Sequence, residues 1–203
     1  MGDPKKQRSK YRGPRHPWQA ERLVRERGYV KEFGLKNKKE IYKAVSEAKR
    51  LSKHAKKIIR SVNLVQAERE TKEFIDRLQR FGLLHKDAQL GDVLSLTERE
   101  ILSRRLQQLV YKKGLALTPR QARQFITHGH IAIHEKRVNV PSYFVSLEEE
   151  NNIGFYDSSR LHNAEHPERI KEAKKEHEKE KTKEGLKESF EEVKGEVEEV
   201  KNE

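Results

Sequence analysis

Apolar residues along this chain recur in two rhythms. Over residues 37–61 they fall at Ile41, Ala44, Val45, Ala48, Leu51, Ala55, Ile58 and Ile59, spacings of three and four that predict one long helix with a single apolar face. Lys43, Lys49, Arg50, Lys53, Lys56, Lys57 and Arg60 occupy most of its remaining surface. A second helix is predicted over 67–80, with Phe74, Ile75, Leu78 and Phe81 inward and a stop at Gly82, and the two are expected to pack together. After the stretch GDVLSL, Thr97 followed by Glu100 has the spacing of a capping box, and the helix it opens carries Leu102, Leu106 and Leu109 on one side up to Gly114. The next helix is short, over 119–128: Thr118 is its N-cap, Pro119 its first residue, Gln121 is placed to close the cap, and Gly129 is a left-handed stop. Ala122, Phe125 and Ile126 give this helix a narrow apolar side, which directs Arg120, Arg123, Gln124 and Thr127 onto one connected polar face. Past Gly129 the rhythm becomes alternation: Ile131 and Ile133, a turn through Glu135 and Lys136, then Val138 and Val140, closed by Pro141. Residues 151–156 read as one more short strand.

These elements imply an α+β protein: a basic extended arm with a short helix over 1–36, an α-helical region over 37–96, a helix–helix–β-hairpin domain with a small antiparallel sheet over 97–160, and a charged tail over 161–203. The ends have neither rhythm. MGDPKKQRSKYRGPRHPW mixes cations with proline, glycine, Tyr11 and Trp18, and reads as an arm that prolines 4, 14 and 17 stiffen, lowering the cost of ordering it along a phosphate backbone. From residue 164 the chain is Lys/Glu-rich, with Leu186, Phe190, Val193, Val197 and Val200 spaced by three and four, which is the pattern of a marginal helix or a disordered segment.

Charge sharpens the picture. Of 203 residues 38% are charged and 33% hydrophobic, so parts of the chain are expected to order only on a partner, and the formal net charge of +12 points to a polyanion. The excess is uneven: residues 1–60 carry 20 Lys/Arg against 6 Asp/Glu, residues 61–163 carry 15 against 13, and residues 164–203 carry 10 against 14. No apolar run approaches the roughly 20 residues that span a bilayer, and the start lacks a signal-peptide core, which implies a soluble cytoplasmic protein without membrane partners. The absence of cysteine excludes disulfides, thiolate zinc sites and a cysteine nucleophile.

Candidate chemistry concentrates between Thr97 and Leu147, where 9 Lys/Arg face 3 Asp/Glu. Arg120, Arg123 and Gln124 offer planar, multi-donor groups suited to phosphate oxygens, and the N–H groups at the start of their helix add an anion site. Arg104, Arg105, Lys112 and Lys113 on the preceding helix, with Lys136 and Arg137 on the hairpin, extend the patch. In the arm, Lys5, Lys6, Arg8, Lys10, Arg12, Arg15 and Trp18 fit backbone contact with stacking. His128, His130 and His134 form H-x-H-x-x-x-H, but three histidines without a cysteine or inward carboxylate make a poor metal site, and hydrogen bonding to sugar, phosphate or the helix end suits them better. With no phosphate-cradling glycine loop, no nucleophile elbow and no paired carboxylates in apolar settings, the sequence implies neither an enzyme nor a cofactor.

The block RRLQQLVYKKGLALTPRQARQFITHGHIAIHEKRVNVPSY resembles the helix–helix–hairpin RNA-binding domain named for small-subunit ribosomal protein S-four, a domain also appended to some tRNA synthetases and pseudouridine synthases. GDPKKQRSKYRGPRHPW resembles the start of the archaeal and eukaryotic branch of that ribosomal protein, and the two together cover about residues 2–160. The resemblance implies direct binding to small-subunit ribosomal RNA where several RNA helices join, a role in nucleating subunit assembly, neighbouring small-subunit proteins as partners, and a place near messenger RNA with influence on decoding accuracy. It places the RNA-contacting positions on Arg105, Thr118, Arg120, Gln121, Arg123, Gln124, His128 and His130. Two departures stand out: Gln107 occupies a position where many members have aspartate, and the N-terminal cysteine zinc knuckle of many bacterial members has no counterpart. Two other readings remain for the residues alone: a free RNA-binding module acting on ribosomes or tRNA, and the RNA grip of an RNA-modifying enzyme, which would need a catalytic domain that neither the segment before 97 nor the tail resembles.

Overall fold

A computed structural model describes residues 9, 11–61, 63–163, 166, 168 and 169. The chain divides into two compact units, residues 1–156 and 157–203. Lys5, Lys6, Arg8 and Lys10 of the expected arm lie outside the described residues, as does nearly all of the Lys/Glu-rich tail, whose expected helix or disorder is therefore not described. Among its described residues the second unit has one 3-10 turn, Arg160–His162, where the Ser159 hydroxyl accepts from Leu161 N.

The first unit opens with helix α1 (Ala20–Glu32) and the long helix α2 (Lys38–Ile59). α2 buries the expected stripe, Ile41, Ala44, Ala48, Ala55 and Ile58. Helix α3 (Leu64–Arg80) starts three residues earlier than expected because the Asn63 side chain caps it, accepting from Gln66 N. The α2–α3 pairing is as expected. Ala55 and Ile58 pack with Phe74, Leu78, Val93 and Leu96 in one apolar cluster, while Ile41, Ala44 and Ala48 pack with Phe33, Leu35, Ile101 and Leu102 in another. Full burial of a leucine or isoleucine in such a cluster stabilises by about 1.5–3 kcal/mol.

Two short helices were not legible in advance. All but the last residue of GDVLSL falls in α4 (Leu90–Ser95), held by Asp92 Oδ2 accepting from Gln89 N at 2.8 Å. Ser146 and Glu149 form a full capping box on α8 (Leu147–Asn151). There the Ser146 N–H, and after it the Tyr143 hydroxyl, hold the Glu149 carboxyl below the usual range.

The helix expected from Thr97 to Gly114 is two helices, α5 (Glu98–Ser103) and α6 (Leu106–Lys112). The Thr97–Glu100 capping box is present. The break has a tertiary cause: Arg105 turns extended, bridges to Phe144, and the Leu106 and Gln107 N–H groups donate to Tyr143 O and Pro141 O. A passing strap thus supplies acceptors that a continuous helix would have supplied itself. α6 packs on α7 (Pro119–Thr127), with Leu106, Leu109, Val110, Ala122 and Ile126 fully buried.

Strands β1 (Ile131–Ile133), β2 (Lys136–Arg137) and β3 (Ile153–Phe155) form an antiparallel sheet in the order β2-β1-β3, with Ala132 opposite Arg137 and Gly154. The hairpin turn is His134–Glu135, both at positive φ, rather than Glu135–Lys136. The expected alternation at Val138 and Val140 lies beyond β2, although Val138 N still donates to Ile131 O. The third strand falls within the predicted 151–156 segment.

Candidate nucleic-acid interface

Helix α7 is fixed at both ends by its own sequence. Thr118 Oγ1 accepts from Gln121 N, and Pro119 takes the first helical position. Gln121 reaches back one residue further than expected, its Oε1 accepting from Leu117 N at 2.9 Å. At the far end Gly129 N donates to Ile126 O and His130 N to Phe125 O, the paired bonds of a left-handed glycine stop at φ +75°. A side chain at Gly129 would fall on the Arg137 guanidinium, which lies against the helix end and donates to His128 O. A cation there complements the helix dipole.

The expected anion site at the start of α7 is reduced. Pro119 has no N–H, and Gln121 N and Ala122 N are taken by Thr118. At most the Arg120 N–H is left, and Gly34 packs so close that an added Cβ would sit 2.9 Å from Pro119 and 3.0 Å from Arg120 N. Gly34 also has φ +58°, so only glycine suits this approach.

Packing fixes how α7 is turned. Ala122, Phe125 and Ile126 are buried, and Arg120, Gln124, Thr127 and His128 are exposed. Arg120, Gln124 and His128 are spaced by four and form one outward stripe. The expectation that Arg123 joins them is corrected: its guanidinium points inward and grips Glu40 of α2, at 2.9 Å to Oε1 and 3.3 Å to Oε2. Arg105 binds the same carboxylate at 3.2 Å and also donates to the Glu40 carbonyl. Burial holds the Arg105 guanidinium below the ordinary arginine range, opposed by Glu40 and reinforced by Arg123 beside it. Gln107, buried at 4% exposure, completes the joint. Its Nε2 lies 3.0 Å from Phe33 O, 3.1 Å from Gly34 O and 2.8 Å from Pro119 O, and its Oε1 accepts from Arg123. An ionised carboxylate at this position could donate to none of these carbonyls, whereas the two amide N–H groups are shared among the three, so the amide suits the environment that surrounds it here.

The other expected site residues fall in two groups. Thr118, Lys112, Lys113, Lys136, Arg12 and Arg15 are exposed, and Trp18 is 88% exposed, which leaves its ring open for stacking. Arg104 is drawn off to Glu150 Oε2 at 2.7 Å and Val145 O, and so leaves the expected patch. His130 is half-buried, edge-on to Phe125 and parallel to His128 at a centroid separation of 6.2 Å. His134 lies against Asn152. Among the described residues no group of three or more His, Cys, Asp or Glu is placed to hold a metal ion, and no helix is long and apolar enough to cross a membrane. Sequence reasoning missed Glu40, and it noted Gln107 only as a departure from the family pattern, without a role. The only trace of Glu40 was a carboxylate in the first turn of an otherwise basic helix.

Two packed helices followed by a hairpin, with a donor stripe on the second helix, define a class, and a family model described as the S4 domain matches residues 104–151, taking in α6, α7, β1, β2 and α8. Similarity extends well beyond that domain. The chain is 46% identical over 175 residues to small ribosomal subunit protein uS4 of Methanococcus aeolicus, covering 86% of this chain and 98% of that protein. It is 45% identical over 174 residues to the protein of the same name from Nanoarchaeum equitans, covering 83% and 94%. The chain belongs to the uS4 family of small ribosomal subunit proteins, as the motifs in its sequence implied.

Proposed function

We propose that this chain is a structural, non-enzymatic component of the small ribosomal subunit that acts in the cytoplasm. It binds small-subunit ribosomal RNA directly, helps nucleate assembly, and contributes to translational accuracy through neighbouring small-subunit proteins, with messenger RNA close by. Near full-length similarity to uS4 proteins supports the subunit role. The observation that carries RNA contact is the outward stripe of α7. Arg120, Gln124 and His128 stand exposed on a helix whose opposite side is buried and whose flank is tied to α2, so the donors are held in place before binding. Thr118 and His130 flank the stripe. Arg105, Gln121, Arg123 and Arg137 serve the same interface chiefly by holding α7 in position, and the 97–160 segment is the RNA grip. Arg12, Arg15 and Trp18, with Lys5, Lys6, Arg8 and Lys10, extend contact along the arm. Phosphate neutralisation supplies affinity, and RNA shape supplies specificity.

The test is binding of the purified protein to a small-subunit ribosomal RNA fragment and to an equal-length unrelated structured RNA, across a salt series. The expected result is a preference for the ribosomal fragment that survives raised salt. Equal binding that collapses with salt overturns the reading, because it would reduce the interface to a charge patch.

A further inference from the structure

Away from α7, residues 11–15 of the arm are pinned to α2 beside an open cleft. Tyr11 stacks on Tyr42 of α2 with centroids 6.4 Å apart, and Arg12 N donates to Ser46 Oγ at 3.2 Å. Between these pins and the facing sides of α1 and α2 lies an open cleft of about 880 Å³. Its lining holds seven Lys/Arg side chains against two carboxylates. Glu26 is already engaged: it is buried, with Lys38 Nζ at 3.0 Å, Arg22 Nε at 3.5 Å and the Tyr42 hydroxyl at 3.5 Å. Burial, and after it the nearby Glu98 carboxylate, push the Tyr29 hydroxyl above its ordinary range. Arg22 is paired with Glu26 and Arg50 with Glu47, and the other lining cations, Arg12, Arg15, Arg25, Lys49 and Lys53, repel one another in a concave wall, an arrangement that a bound polyanion relieves.

A second observation points the same way. Arg22 is anchored by Nη2 on Pro17 O and by the Nε ion pair with Glu26, while its buried Nη1 has no hydrogen-bond partner among the described residues. A buried guanidinium nitrogen left unmet calls for an acceptor from outside the fold. Charge lining a groove beside stacked planar rings is the chemistry that takes single-stranded nucleic acid, with phosphates on the cations and a base on a ring.

We propose that this cleft is a second RNA site, distinct from the α7 stripe, which takes an unpaired stretch of RNA with its phosphates on Arg12, Arg22, Arg25 and Lys49 and a base against the Tyr11–Tyr42 pair. The inference rests on the RNA-binding reading above and assigns a strand type to a part of the surface that reading leaves open.

The experiment uses the full chain and three probes of matched charge: a single-stranded RNA oligonucleotide carrying a photoreactive uridine, a duplex RNA and inorganic tripolyphosphate. Each of these, and the ribosomal RNA fragment, is titrated against the unaltered protein, an Arg25→Gln/Lys49→Gln variant, and an Arg120→Ala/Gln124→Ala variant of α7. Arg25 and Lys49 are exposed, so their replacement leaves the fold intact, which thermal unfolding checks. The expected result is crosslinking of the oligonucleotide to Tyr11 or Tyr42, and a loss of about 25-fold in its affinity at 0.1 M salt in the cleft variant, from two phosphate contacts at about 0.7 log units per decade of salt each. Undiminished oligonucleotide binding in the cleft variant overturns the cleft. So does tripolyphosphate or duplex binding as tight as the single strand, which would make it a plain anion patch. If the α7 variant alone weakens binding of the ribosomal fragment, the cleft falls and the proposed function stands; if neither variant weakens it, the proposed function falls with the cleft.

Discussion

Two arginines one helical turn apart on α7 behave in opposite ways. Arg123 is 25% exposed and locked onto Glu40, whereas Arg120 stands in solvent. The same contrast holds between regions: the joint of α2, α6 and α7 draws Arg105 and Arg123 onto one carboxylate, while the outer face of α2 leaves Lys43, Lys49, Lys53, Lys56 and Lys57 exposed. Residue type does not decide what a cation does. What decides is whether a carboxylate from another element reaches it away from water, where the pair is weakly screened and removal of one partner is costly.

The strongest way to break this contrast is Glu40→Ala, which leaves Arg105 and Arg123 partly buried without their shared counter-ion. A loss of about 3–5 kcal/mol is expected in denaturant unfolding. Combining it with Arg105→Met and Arg123→Met should recover much of that loss, and a single mutant that unfolds like the parent would mean the cluster is ornamental. Gln107→Leu comes next. It removes the amide that meets Phe33 O, Gly34 O and Pro119 O, and about 1–3 kcal/mol should go with it. Hydrogen exchange at the start of α7 should quicken as well, since that is the end the amide ties down.

A smaller effect is expected from Gly129→Ala, which forces a side chain into the left-handed region and displaces Arg137 from the end of α7. A cost of about 1–2 kcal/mol is expected, read as a drop in Tm. The least effect on stability belongs to Arg120→Ala/Gln124→Ala, within about 0.5 kcal/mol of the parent. That variant sharpens the comparison from the other side. Its RNA affinity should fall, and the salt slope should flatten by about 0.7–0.9 log units for each phosphate the helix no longer neutralises. An unchanged slope would take the outward stripe out of the interface.

Much of the architecture was legible beforehand because it is local. The stripe on α2, the Thr97–Glu100 box, Thr118 and Pro119 at the start of α7 and Gly129 at its end each declare themselves within one or two helical turns, where spacing and backbone chemistry suffice. The break between α5 and α6 was not legible, since it depends on the strap at 141–145 supplying acceptors to Leu106 and Gln107. α4 is a single six-residue helix, too short for periodicity to reveal.

The candidate site divides along the same line. Sequence alone determined that α7 exists, which of its residues are buried, that the first third of the chain is basic, and, through RQARQFITHGHI and the N-terminal motif, which family the chain belongs to. Only the tertiary structure decided that Arg123 and Arg105 turn inward, that Gln107 ties three carbonyls together, and that Arg104 leaves the patch for Glu150. The physical reason is distance along the chain. Glu40 lies 65 residues from Arg105 and 83 from Arg123, so no periodicity or spacing rule relates them, and their pairing exists only once α2, α6 and α7 have packed.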